Sequence, residues 1–346
     1  MSSPRSARQL IGVTGAVAII AATAMTAACT AKGTNNPGAA GTTATAPTGA
    51  SGTAATTGPA TSGATSPTSA PTSAGPATGS AVVLPFTGLD RPADVTVPPG
   101  SGAVFVTDGG NNRVVKMAAN SSTQSVPPFA GLNSPVGVAA NGDDLFVTDA
   151  NNARVLWSHA PRTTPTAPWQ SSSATEWVGP FTGLNSPKGV YLVMGSVYYV
   201  VDSGNNRVLM WREGLNAPQV LAFSGLSNPD SIAVDDFSNV YVSDTGNNRV
   251  VVLKGDGTQS VLAFTGLSSP QGVAVLSGDV YVVDGGNNRV VKLKTDRTTK
   301  ATTQSILPIS GLKNPRGLAL DGQGDLYVVD SGNNRVLKLD KAFAGQ

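Results

Sequence analysis

The chain has 346 residues, with 23 Lys and Arg against 21 Asp and Glu, a single His and a single Cys. One cysteine excludes an internal disulfide, one histidine excludes a histidine-built metal or acid–base cluster, and near-balanced charge excludes the basic footprint of a nucleic-acid binder. The length allows one large domain with a substantial core beside low-complexity segments.

The first segment reads as an export signal. Arg5 and Arg8 precede an apolar, uncharged stretch from Leu10 to Met25, followed by Thr26-Ala27-Ala28-Cys29. A basic start, a short apolar run and small residues before a cut site are the parts of a secretory signal. At about 16 residues the run falls short of the ~20 that span a bilayer. Small residues directly before a lone cysteine resemble the lipobox of bacterial lipoproteins, with Thr26 standing where leucine is usual. This implies a signal peptide over 1–28, lipid on Cys29 and a chain held on the outer face of the cell membrane.

From residue 30 to 81 the chain is almost wholly Ala, Thr, Gly, Ser and Pro, with Lys32 its only charge and no aromatic. Such a segment cannot bury enough apolar surface to offset its ordering entropy, so 29–81 is expected to be a disordered tether. As a random coil its ends lie ~40 Å apart, and in polyproline-like form it reaches beyond ~100 Å. Its Thr, Ser and Pro density also resembles glycosylated stalks.

From residue 82 to 346 the chain repeats. Variants of Asp-x-Gly-Asn-Asn-Arg-Val start at Asp108, Asp149, Asp202, Asp244, Asp284 and Asp330, at spacings of 41, 53, 42, 40 and 46 residues. A period near 40 signals stacked β-sheet blades. In step with it, Phe-Thr-Gly-Leu or a near copy begins at Phe86, Phe129, Phe181, Phe223, Phe264 and Ile309. Each is followed by a proline: Pro92, Pro135, Pro187, Pro229, Pro270 or Pro315. Four short apolar runs per unit, separated by Gly, Pro, Asn and Ser, predict four strands. The second is apolar almost throughout, as in Val280-Tyr281-Val282-Val283, which suits a strand buried on both faces. Three residues before every repeat Asp stands an aromatic (Phe105, Phe146, Tyr199, Tyr241, Tyr281, Tyr327), placed to fill the space between neighbouring sheets.

Six four-stranded sheets arranged radially make an all-β, six-bladed β-propeller. The chain enters the domain with a fourth-type strand, 82–86, and leaves on a third-type strand, 335–339. The opening strand is therefore expected to pair with the last blade and close the ring.

The phrases Tyr-Val-Val-Asp-Ser-Gly-Asn-Asn-Arg-Val and Leu-Pro-Phe-Thr-Gly-Leu resemble NHL repeats. Over residues 82–340 the sequence is similar to the extracellular sensor propellers of mycobacterial receptor Ser/Thr kinases of the PknD type. The resemblance implies an NHL-type propeller with a sensor- or scaffold-like role outside the cell. It brings no kinase activity, because the chain has no Val-Ala-Ile-Lys strand, His-Arg-Asp loop or Asp-Phe-Gly.

The six Asp–Arg pairs (Asp108 with Arg113, Asp149 with Arg154, Asp202 with Arg207, Asp244 with Arg249, Asp284 with Arg289, Asp330 with Arg335) read as turn structure. Asp and Asn bond their own turn backbone, and the Arg pairs with an Asp. The second copy has Asn151 in the glycine place, which suits a left-handed position. Beside the repeat prolines the sequence varies: Asp94, Val136, Lys188, Asp230, Gln271 and Arg316. These residues are expected at the mouth of the central channel, where Asp94, Lys188, Asp230, Gln271 and Arg316 are the candidate ligand-binding groups.

Two insertions fall between third and fourth strands, on the face opposite the Asn-Asn turns. The first, about 158–176, holds His159, Arg162 and Trp169, flanked by Trp157 and Trp177. Exposed Trp and Arg anchor interfaces, so these five residues form a candidate partner-binding loop. The alternative is a loop folded over its own blade edge. The second, around 294–302, carries Lys294, Arg297 and Lys300.

The inventory favours a non-catalytic module that binds an extracellular ligand or cell-surface protein and meets the membrane through the lipid on Cys29. No catalytic residue, metal, cofactor or nucleic-acid partner is assigned. A Gly-x-Ser-x-Gly elbow and glycine-rich phosphate loops are absent. Propeller lyases of the virginiamycin and peptide-amidating types, which this chain resembles in repeat only, rely on central histidines. The alternative function is a lyase or hydrolase using channel-mouth carboxylates with or without Ca²⁺.

Overall fold

The structure, a computed structural model, describes residues 81–141, 144–158, 170–173, 176–193 and 197–341. The expected signal segment, Cys29, the tether up to residue 80, and His159, Arg162 and Trp169 lie outside the described residues. The described residues form six antiparallel sheets, one per repeat, arranged as the expected six-bladed propeller. Blade 5 shows the plan: Pro270–Leu276, Asp279–Asp284, Arg289–Thr295 and Thr302–Ile306 pair in sequence order from the channel outwards. Blade 6 takes its outer strand from the start of the domain. Val82 pairs with Lys338 and Val83 with Leu337, and the Leu84 N–H donates to the Val336 carbonyl at 2.9 Å. The ring closes as the strand order predicts. Blade 2 departs from the plan: its insertion returns as an extra strand, Gln170–Ser173, outside Glu176–Val178, so this sheet has five strands.

Successive side chains of a strand face opposite ways, so a second strand squeezed between two neighbouring blades must be apolar on both sides. Val104–Asp108 and its five counterparts are buried along almost their whole length. The core is accordingly six clusters, each shared by two adjacent blades. Tyr199, Val201 and Val208 of blade 3, for example, pack with Ile232, Val240 and Val242 of blade 4. The six aromatics before the repeat Asp are all buried, and one enters each cluster. Each buried Val or Leu contributes roughly 1.5–3 kcal/mol, so blade-to-blade packing stabilises the ring without a disulfide.

The repeat turn then fixes each blade to the segment that precedes it. In blade 3, Asp202 Oδ2 accepts from Arg207 Nε at 2.7 Å and Asn205 Nδ2 at 2.8 Å, while Oδ1 accepts from the Asn185 N–H at 2.7 Å. Arg207 and Asn205 both donate to the Gly183 carbonyl, inside the Phe-x-Gly-Leu segment. All six aspartates are fully buried, and each meets its own Arg at 2.6 or 2.7 Å. These pairs are architecture.

The left-handed position of the turn is not the glycine. It is the second Asn, with φ of 51° to 53° at Asn112, Asn206, Asn248, Asn288 and Asn334, and Ala153 takes it in blade 2 at φ 50°. The glycine is required for room, since a Cβ on Gly246 would come within 2.7 Å of the Ser227 carbonyl oxygen. The reading of Asn151 as a left-handed residue is therefore corrected. Its side chain holds the turn off, and its N–H reaches the Asn133 carbonyl at 3.2 Å where the glycine N–H groups reach theirs at 2.8 Å. The second Asn also spans blades: Asn206 Oδ1 accepts the Asn228 N–H at 2.6 Å, and Asn334 Oδ1 accepts that of Arg91 at 2.8 Å, joining blade 6 to blade 1. Ala153 has no oxygen with which to do the same for blade 3.

Candidate functional site

First strands line the central channel, and their opening residues crowd together there. Four of them begin Pro-x-Gly, with glycines at 137, 189, 272 and 317. A Cβ on Gly137 would lie 2.2 Å from the Lys188 carbonyl oxygen of the next blade, and one on Gly272 would lie 2.7 Å from that of Arg316. Pairing of Val95 with Val106 corresponds to that of Val138 with Val147. The blade 1 counterpart of Val136, Lys188, Asp230, Gln271 and Arg316 is thus Ala93, and Asp94 holds the glycine place. Asp94 does not belong to the variable ring; one step along a strand turns a side chain to the other face. Ser231 holds the same place in blade 4.

Both exceptions use their side chains alike. Asp94 Oδ2 accepts the Val138 N–H of blade 2 at 3.1 Å, and Ser231 Oγ accepts the Val273 N–H of blade 5 at 3.3 Å. The signal for them lies in the sequence: they are the two repeats that break Pro-x-Gly, as Pro92-Ala93-Asp94 and Pro229-Asp230-Ser231.

At the turn end of the channel, Asp94, Val136, Asp230, Gln271 and Arg316 line a cavity of about 20 Å³, room for roughly one water-sized group. Beyond it a second cavity of about 200 Å³ runs between the first strands, lined by strand backbone and by side chains such as Val97, Ala140 and Leu320. Asp94 and Ser231 border both cavities and so form the waist. Lys188 sits beside the first cavity, its Nζ 3.0 Å from Asp230 Oδ2. Arg316 differs. Its guanidinium has no ion-pair or hydrogen-bond partner among the described residues, although its Nε is buried.

Burial pushes the Asp94 carboxyl up to about 7, with repulsion from Asp230 adding to it and the N–H groups of Val138 and Val95 offsetting part. The arrangement thus offers one uncompensated cation, one neutralised ion pair and one acid that changes charge near neutral pH. Among the described residues no group of three or more His, Cys, Asp or Glu is gathered to hold a metal ion.

The first insertion does not present the tryptophans that flank it. Trp157 and Trp177 are buried, with ring centroids 5.3 Å apart, and Trp157 stacks on Phe146 at 5.7 Å. Trp157 Nε1 donates to Asp144 Oδ1 at 3.1 Å. Both belong to the cluster between blades 2 and 3, so their reading as exposed anchors is corrected: they are core packed between two blades. The second insertion lengthens a hairpin, pairing Lys294 with Thr303 and Thr295 with Thr302, and leaves Lys294, Arg297 and Lys300 exposed.

The NHL repeat model matches residues 132–157, 267–293 and 312–339, so the chain carries NHL repeats on its six-bladed propeller. No curated protein matches the sequence. Virginiamycin B lyase from Staphylococcus aureus is similar in structure, with a TM-score of 0.55 and 14% identity over 76% of this chain and 85% of that one. A gluconolactonase from Xanthomonas campestris gives a TM-score of 0.58 and 15% identity over 74% and 88%. A chain of the nidogen/laminin complex gives 0.51 and 21% over 62% and 79%. At such identities the likeness is one of fold.

Proposed function

We propose that this chain is an exported, lipid-anchored propeller that binds an extracellular ligand or cell-surface protein at its channel mouth without catalysis, in the manner of a sensor or scaffold domain. The observation that carries the reading is Arg316. A guanidinium with a buried, unsatisfied Nε in a cavity touched by every blade is a donor set waiting for an acceptor. The signal-like start and Cys29 support the location, and the resemblance of the repeat phrases to receptor-kinase sensor propellers supports the class.

A second reading rests on Asp94, whose carboxyl stands near 7, where a general acid or base works best. It makes the protein a lyase or hydrolase, in keeping with structural neighbours named a virginiamycin B lyase and a gluconolactonase, and it assigns proton transfer to Asp94 with Asp230 beside it.

One experiment separates them. The full chain carrying Cys29→Ser is screened against cell-wall glycans, peptides and surface proteins, and every hit is re-measured with Arg316→Ala. Binding without product that weakens roughly ten-fold or more in the variant supports the first reading. Turnover that disappears in Asp94→Asn replaces it with the second.

A further inference from the structure

Charge at the channel mouth does not cancel. Asp230 is neutralised by Lys188 at 3.0 Å. Arg316 faces the same cavity with no counter-charge in ion-pair range among the described residues. Gln271, beside it on the neighbouring blade, lines the cavity with an amide that also has no hydrogen-bond partner among them. A buried charged donor without an acceptor is costly, and natural structures keep such groups where something else completes them.

We infer that the mouth is a receptor for a single carboxylate, held by the Arg316 guanidinium with the Gln271 amide beside it and sensed by Asp94 at the waist. This rests on the binding reading above and names the chemistry of the ligand. A guanidinium presents a planar fork of N–H donors that matches a carboxylate. The cavity, about 20 Å³, takes roughly one water-sized atom group, so the carboxylate seats at the mouth against the guanidinium and the body of the ligand stays outside. With Asp230 neutralised by Lys188, Arg316 is the one uncompensated charge at the mouth, which matches a single negative charge better than a phosphate dianion and repels a bare cation.

Protonation tunes the same site. The charged groups facing Asp94 are Arg316 from blade 6 and the Asp230–Lys188 pair from blades 4 and 3, while blades 2 and 5 present the uncharged Val136, Gly137, Gln271 and Gly272. Held near 7 by burial, Asp94 is neutral in acid and adds no repulsion there. Above that pH it carries a negative charge at the floor of the site. Affinity for a carboxylate therefore falls as pH rises through about 7.

Calorimetric titration of the full Cys29→Ser chain tests this with acetate, glucuronate and an N-acetylated dipeptide, against inorganic phosphate and Ca²⁺. Carboxylates are expected to bind in preference to phosphate and Ca²⁺, and Arg316→Ala to weaken them roughly ten-fold or more. Gln271→Ala weakens them less, and Asp94→Asn flattens the pH dependence of the binding. The tighter of glucuronate and dipeptide identifies a sugar acid or a peptide C-terminus as the source. Carboxylate binding unchanged in both Arg316→Ala and Gln271→Ala, or preference for phosphate or Ca²⁺, overturns the inference. A screened ligand that depends on Arg316 yet is not displaced by any carboxylate sinks the inference and leaves the binding reading intact. Absence of any Arg316-dependent binding sinks both.

Discussion

Asp94 accepts the Val138 N–H of the neighbouring blade at 3.1 Å, from a place that four of the six blades keep as glycine. The bond links blades 1 and 2 inside the channel, at the expense of enclosing a carboxyl group among six strands.

That enclosure has a measurable sign. An acid whose folded pKa is raised binds its proton more tightly in the folded state. Its contribution to stability is full below the unfolded value, 3.8, and is lost as pH rises to about 7. Asp94→Asn removes the titration while keeping an acceptor for Val138. Denaturant unfolding should show the variant near wild type at about pH 4 and more stable by about 3–5 kcal/mol at about pH 8. A difference of the same size at both pH values would refute the assignment.

The repeat aspartates predict the opposite. Asp202→Ala strips the acceptor from Arg207, Asn205 and the Asn185 N–H at once. Breaking a buried ion pair by deleting one partner costs about 3–5 kcal/mol, and the loss should be seen in unfolding midpoints. Carboxylate or screened-ligand affinity of the folded fraction should stay unchanged, since Asp202 does not line the channel cavities. A changed affinity in folded protein would move these residues from architecture into the site.

The proposed membrane anchor is tested by metabolic labelling with a fatty acid. Wild type should incorporate label and Cys29→Ser should not; equal labelling of both rules out lipid at that position.

Much of this architecture was legible because repetition multiplies a weak signal. One apolar run before one Asp-Ser-Gly-Asn-Asn turn is ambiguous; six in phase define blades, their number and the strand that closes the ring at Val82 and Val83. What repetition hides is the exception. Asp94 passes for a member of the variable ring until strand register places Ala93 there, because one residue along a strand decides which way a side chain faces. Trp157 and Trp177 look like interface anchors beside a polar insertion, and only the packing of Phe146 and Tyr198 against them makes them core. The unpartnered Arg316 is invisible in sequence, since whether a charge is paired depends on groups brought together from other blades.

The break in blade 2 yields a stabilising prediction. Ala153 holds the left-handed position at φ 50° that five other blades give to Asn, and for a residue with a Cβ this conformation costs about 1–2 kcal/mol. Asparagine tolerates it better because its short polar side chain bonds locally. The receiving side is already in place: Ser186, with φ 46°, stands directly before Pro187 as Asn228 stands before Pro229, and Asn228 donates its N–H to Asn206 Oδ1 at 2.6 Å. Ala153→Asn should thus relieve backbone strain and add the missing bond between blades 2 and 3, worth about 0.5–1.5 kcal/mol by itself. A rise in the unfolding midpoint of a few degrees is expected for a domain of this size, roughly 2–4 °C per kcal/mol. The reciprocal change, Asn206→Ala, should lower it by a similar amount. If Ala153→Asn is neutral while Asn206→Ala destabilises, the gap between blades 2 and 3 is set by the packing of Trp157, Trp177 and Trp211, and the bridging Asn is an accessory to it.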